Sequence, residues 1–300
     1  MANWSILYGN DEVNISDRNP YDLVSISGIG TAPLRQLEER SPFQDGSSSV
    51  GFRLDPRIIN MVLFMNSTSK AEADSQRDIL YEYFKGLPLP LKLKCVKDNG
   101  STRLIDCYTS GMVDAPFDDQ NRIGASQRFA VQLKALNPIW YDPTPLAWGI
   151  LGGSSTGASG FDVPMNVPFS QSPNTFIDTT LSLAYSGSWY EYPVITIFGP
   201  GTNFTVTNLT TGDILDFPTL VLGVGEYVEI DLRYGAKSVV DDTGTNVIGE
   251  LSDDSDLATW KIAPAPITSS GSNSIQFTVA SDATDETGVR INYYNRYTAL

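Results

Sequence analysis

Apolar and polar side chains alternate with period two along most of this 300-residue chain, the pattern of short strands, and a helical stripe stands out once. Val50, Phe52 and Leu54 alternate with Gly51, Arg53 and Asp55, which predicts a half-buried strand. Ile58 to Met65 follows, apolar at every position but Asn60. A strand of that kind is expected to be covered on both faces, by its own domain or by a neighbouring subunit. Ile59, Met61, Val62, Leu63, Phe64 and Met65 are therefore candidate subunit-interface residues. The helix is predicted from about Lys70 to Lys85. Ser69 and Glu72 fit a capping box, Ala73, Gln76, Leu80 and Phe84 form one stripe with Ile79 and Tyr83, and Gly86 and Pro88 stop it. Asp98-Asn99-Gly100 is a hairpin signal between residues 92–97 and 101–107. A two-residue turn at Asn99-Gly100 would set Cys95 opposite Leu104 and Cys107 opposite Lys92, so the two thiols are expected to be free. A last strand carries Phe129, Val131 and Leu133, and Pro138, Pro143 and Pro145 mark an extended exit.

The second half reads as strands throughout. Ile195 and Ile197, Phe204 and Val206, Val228 to Leu232, Ile275 to Val279 and Val289 to Tyr293 all keep period two, with turn residues such as Gly199-Pro200-Gly201 and Thr211-Gly212-Asp213 between them. The predicted fold class is mainly β: an N-terminal α+β domain, a β-sandwich with one helix and a β-hairpin, followed by a C-terminal β-sandwich or jelly roll.

Composition adds a boundary. Gly149 to Gly160 is rich in Gly and Ser, as flexible linkers are. The expected division is residues 1–148, a linker at 149–160, and residues 161–300. The formal charge of −15 divides unevenly: 15 Lys+Arg against 18 Asp+Glu before residue 151, and 5 against 17 after it.

Candidate chemistry is thin. With no histidine, there is no Ser-His-Asp triad, Cys-His pair or histidine-based metal motif, and two cysteines cannot hold a four-cysteine zinc site or an iron–sulfur cluster. The acidic balance argues against specific nucleic-acid binding, and the longest apolar run, Met61 to Met65, argues against membrane insertion. Asp118-Asp119, Asp241-Asp242 and Asp253-Asp254-Ser255-Asp256 sit among turn residues and read as solvated loops, and none fits a calcium-loop motif. Gly28-Ile29-Gly30 lacks the third glycine of a dinucleotide fingerprint, Pro33 standing in its place, and reads as a turn. No catalytic residue, cofactor or metal is expected, and the chain is not expected to be an enzyme. Trp189, Tyr190 and Tyr192 are candidates for stacking on sugar rings, which keeps a carbohydrate-binding module recognising host glycans as the alternative function.

The order of parts resembles the distal tail proteins of long-tailed, non-contractile bacteriophages. Phe52-Arg53-Leu54, the helix Ala73–Phe84, the hairpin Leu91–Cys107 and Tyr108-Thr109-Ser110-Gly111 carry the likeness in the first half. Tyr192 to Pro200, Thr207 to Gly212, Val228-Glu229-Ile230-Asp231 and Tyr293-Tyr294 carry it in the second. The resemblance implies a structural virion protein forming a hexameric ring at the distal end of the tail. Its N-terminal domain would join the tail tube and a galectin-like C-terminal sandwich would face outward. The implied partners are further copies of the chain, the tail tube protein and the tail-tip, tail-hub and receptor-binding components. About 140 residues after the linker leave room for one sandwich and no inserted carbohydrate-binding module.

Overall fold

The computed structural model describes residues 2–16, 20–116, 121–151, 176–265 and 271–300. It is mainly β, and the chain divides into two compact units, Met1–Pro143 with Tyr297–Leu300, and Thr144–Arg296.

The first unit contains β1 (Asn3–Tyr8), β2 (Asp11–Asn14), β3 (Tyr21–Ser27), β4 (Leu34–Glu39), β5 (Ser48–Leu54), β6 (Arg57–Met65), α1 (Lys70–Phe84), β7 (Leu91–Val96), β8 (Thr102–Thr109), β9 (Arg122–Ile123), β10 (Ser126–Ala135) and β11 (Trp140–Tyr141). Seven strands follow one hydrogen-bonded path, β2-β1-β7-β8-β10-β6-β3. β8 and β10 meet only at Leu133–Thr109 and Lys134–Tyr108, so the path has a narrow waist there. Side chains from both halves, Ile6, Leu93 and Ile105 from one and Met61, Leu63 and Phe129 from the other, share a core with Trp4 and Trp140.

Helix α1 lays Ala73, Leu80 and Phe84 into that core. Ser69 caps it by accepting from the Glu72 N–H at 3.2 Å, while the Glu72 carboxylate accepts from the Thr68 N–H at 2.8 Å. Ile79 is on the outside instead of the buried stripe. The hairpin differs from the expected register by one residue. Lys97 donates to Ser101 and the turn takes three residues, Asp98-Asn99-Gly100, with Gly100 at φ +82°. Cys95 therefore faces Arg103 and Cys107 faces Leu91. Both thiols are buried and free.

The second unit contains β12 (Leu146–Leu151), β13 (Ile177–Ala184), β14 (Val194–Phe198), β15 (Gly201–Asn208), β16 (Asp213–Leu222), β17 (Tyr227–Asp231), β18 (Ser238–Asp241), β19 (Ser272–Ser281) and β20 (Gly288–Tyr293). One antiparallel sheet runs β12-β20-β14-β17-β18 and the other β13-β19-β15-β16. Ile195, Ile197, Val228, Ile230 and Ile291 of the first share a buried core with Phe204, Val206, Phe217, Ile275 and Phe277 of the second, which is a β-sandwich.

Gly149, Ile150 and Leu151, the first residues of the compositional linker, are strand here: they pair with Arg290, Val289 and Gly288. Ile150 is buried in the sandwich core and Trp148 packs on it. The chain thus enters the second unit just after Pro143, ahead of the Gly/Ser-rich run. Residues 152–160 lie outside the described residues.

Candidate interaction surfaces

The strand expected to be half-buried, β5, carries exposed apolar side chains. Among the described residues, β4 and β5 pair only with each other. Leu34 pairs with Leu54 and Gln36 with Phe52, so Leu34, Phe52 and Leu54 share one face of this two-stranded arm. Arg35 and Arg53 share the other, and both pair with Asp55, at 2.8 and 3.6 Å. On the apolar face Phe52 is 52% exposed and Leu34 58%. The expectation of a half-buried Val50, Phe52 and Leu54 strand is corrected accordingly: Val50 and Phe52 are exposed, because β5 has only β4 beside it. At the tip, Phe43 is fully exposed with φ +69°, a conformation rare for a bulky residue.

β6 lies between β10 and β3, and its side chains divide by parity. Ile59, Met61, Leu63 and Met65 point into the core of their own unit. Val62 and Phe64, with Ile58, occupy the opposite face and keep surface. The continuous apolar run is thus buried on one side only.

In the second unit the aromatic candidates form two clusters. Trp189 and Tyr190 meet edge-on, 5.6 Å between centroids. Tyr192 pairs instead with Tyr234 at 4.6 Å, and the Tyr234 hydroxyl donates to the Tyr192 oxygen at 2.9 Å. Burial above all, with the neighbouring Tyr234 phenol adding to it, pushes the Tyr192 phenol well above its ordinary range. Lys237 Nζ stands 5.4 Å from the Tyr192 ring and 5.6 Å from the Tyr234 ring, and Lys261 Nζ is 5.7 Å from Tyr190. Tyr234, 73% exposed, is the most open of these rings. The sequence pattern missed Tyr234 and Lys237, which lie in a turn without periodicity. Their one signal was that a half with only five basic residues places two of them, Arg233 and Lys237, in this one turn.

Two carboxylates of the acidic clusters, Asp241 and Asp256, are tied into backbone. Asp241 Oδ1 accepts from the Thr243 and Thr245 N–H groups at 2.9 and 2.8 Å, and these bonds, led by the Thr243 hydroxyl, hold its carboxyl below the ordinary range. Asp256 Oδ2 accepts from the Ile214 N–H at 2.9 Å and Ser255 Oγ from the Asp216 N–H at 2.9 Å, fastening their loop along β16. Asp118-Asp119 lies outside the described residues. Among the described residues no three Asp, Glu or Cys side chains are grouped to hold a metal ion, and no helix is long and apolar enough to cross a membrane. The Gly28-Ile29-Gly30 turn serves the fold, since the Gly28 and Gly30 carbonyls accept from Arg57 Nη1 at 2.8 and 2.6 Å.

The backbone is similar to that of the SPP1 Dit protein, described as a paradigm of the hub adsorption apparatus in phages infecting Gram-positive bacteria. The TM-score is 0.63 over 98% of this chain and 98% of that one, at 10% sequence identity. A second similar structure is the phage P2 baseplate in its activated conformation with Ca, with a TM-score of 0.51 over 100% of both chains at 11% identity. No protein-family model matches the chain, and no curated protein is close enough in sequence to count as a relative. At these identities the fold is what is shared: the chain has the fold of phage hub and baseplate proteins.

Proposed function

We propose that this chain is a structural, non-enzymatic virion protein that forms a ring of six copies at the distal end of a phage tail. There it joins the tail tube to the tail-tip hub and the receptor-binding components. The full-length fold likeness to a phage hub protein carries this reading. The two-stranded arm supports it, since β4 and β5 pair with no other strand among the described residues and a two-stranded ribbon alone is marginally stable in water. In the ring, the Leu34/Phe52 face of the arm lies against a neighbouring copy, and Val62 and Phe64 add to the contact. The first unit, Met1–Pro143 with Tyr297–Leu300, would form the ring body and the second, Thr144–Arg296, the outer domain. Gold-labelled antibody against the chain, applied to intact virions, tests the assignment. Label at the tail end remote from the head is expected, and label on head or tail shaft contradicts it.

The Tyr192–Tyr234 pair, with Lys237 over both rings, favours a second reading, glycan binding by the outer domain. Titration calorimetry with host cell-wall polysaccharide tests it. Binding lost on Tyr234→Ala supports it, and no heat of binding to any host glycan counts against it.

A further inference from the structure

β16 is the last strand of its sheet, and its outer edge changes character midway. Along its first half the edge is covered: Asp256 N–H donates to the Ile214 carbonyl at 2.7 Å and Ser252 N–H to the Asp216 carbonyl at 2.9 Å. Pro218 then interrupts, having no N–H of its own. From Thr219 to Leu222 no strand among the described residues lies beyond it, and a groove of about 290 Å³ opens there. Its floor is apolar, made by Leu220, Leu222 and Val228, and exposed Val221 extends that surface at the lip. Its rim carries the carboxylates of Glu226, Asp241, Asp242 and Glu250.

None of these four pairs with a lysine or arginine among the described residues. The basic side chains of this unit are engaged elsewhere: Arg233 with Asp231, Lys261 with Asp213, Arg296 with Glu191, Lys237 with backbone carbonyls, and Arg290 over the Phe198 ring. Asp241, Glu226 and Glu250 accept hydrogen bonds from Thr243 and Thr245, Gly223 and Thr219, which leaves their charge in place, and four carboxylates without a basic partner around a concave apolar floor focus a negative potential on whatever enters. The volume is at the small end of ligand pockets, which run about 300–1,000 Å³, and suits a few side chains better than a whole small molecule.

We propose that this groove receives an extended, lysine- or arginine-bearing segment of a partner protein, laid along the open end of β16. Its apolar side chains would rest on the Leu220–Leu222–Val228 floor while its basic ones meet the rim carboxylates, the strand-addition mode of recognition. The proposal does not depend on the tail assignment.

The test uses the full chain and a fluorescein-labelled ten-residue peptide of alternating lysine and valine, followed by anisotropy at low and physiological salt. The glutamate–valine peptide of the same length is the control. Saturable binding of the lysine peptide is expected, weakened tenfold or more in Asp242→Lys/Glu250→Lys, with no binding of the glutamate peptide. Asp242 is exposed, so Asp242→Lys alone serves if the double variant does not fold. Hydrogen exchange by mass spectrometry adds a readout that charge attraction alone would not move: amides of residues 219–222 should slow when the peptide binds. Equal affinity in wild type and folded variants, equal binding of the two peptides, absence of binding, or unchanged exchange at 219–222 would each overturn the proposal.

Discussion

The guanidinium of Arg57 donates a 2.8 Å hydrogen bond from Nη2 to the backbone carbonyl of Thr298, 241 residues away. The same buried side chain donates to the carbonyl of Pro138 at 3.1 and 3.0 Å and to the carbonyls of Gly28 and Gly30. One cation thus fastens three segments of the first unit, the 28–30 turn, the exit after β10 and the returning C-terminal residues.

Arg57→Ala removes these charge-assisted bonds and takes the donor away from the buried Pro138 carbonyl. A loss of about 3 kcal/mol or more is expected, because hydrogen bonds to charged groups contribute about 1.5–3 kcal/mol each and do not simply add. Urea unfolding monitored by tryptophan fluorescence reads the loss, and an unchanged midpoint would contradict this role.

Gly28 and Gly30 separate backbone demand from mere proximity. Gly28 has φ +85°, and a Cβ there would stand 2.0 Å from the Ile58 carbonyl oxygen, whereas a Cβ at Gly30 meets nothing within 4 Å. Gly28→Ala is expected to destabilise by several kcal/mol, about 2 at the least, while Gly30→Ala stays within about 1 kcal/mol. Thermal melts of the two variants side by side make the comparison.

Glu191 in the second unit gives a pH signature. Its carboxyl is buried against Arg296, and burial raises its pKa above the ordinary 4.5 even though Arg296 pulls the other way. A raised acid holds its proton in the folded state where the unfolded chain has lost it. Its contribution to stability is therefore full below the unfolded value and lost as pH rises through the folded one. Relative to Glu191→Gln, the wild type should lose stability as pH climbs from about 4.5 and level off once the native carboxyl is ionised. Denaturation curves across that range check the sign, and a wild type that instead gains stability would mean that the ion pair outweighs burial.

Both thiols should be silent in the folded protein. Burial pushes Cys95 up to about 11 and Cys107 up to about 12, so thiolate is scarce at pH 8. Alkylation by iodoacetamide at that pH is expected only after unfolding in guanidinium, with both cysteines then modified. Mass spectrometry of native and unfolded samples reads the difference.

What was legible in the sequence was local. The cap at Ser69 and Glu72 and the Ala73–Leu80–Phe84 stripe defined the helix because each signal lies within one or two turns of chain. Period-two runs in the second half located the sandwich strands, since each strand carries its own buried face. Coverage was not legible. Val50, Val62 and Phe64 have the side-chain chemistry of buried positions, but no alternation pattern tells a face that is fully covered from one that keeps surface. Long-range pairing was also invisible: Leu146–Leu151 against Gly288–Tyr293 decides where the second unit begins, and composition placed that start later. The hairpin register turned on whether the loop took two residues or three, which the Asn99-Gly100 signal alone does not fix. Tyr192 and Tyr234 are partners across 42 residues, and nothing periodic connects them.

The central claim is assembly through the arm, and electron microscopy of the purified full-length chain tests it most directly. Closed six-fold rings are expected for the wild type. Leu34→Asp should give dispersed single copies with an unchanged circular dichroism spectrum, because Leu34 is more than half exposed in the isolated chain. A wild type that stays strictly monomeric at all concentrations, even with its tail partners added, would contradict the account.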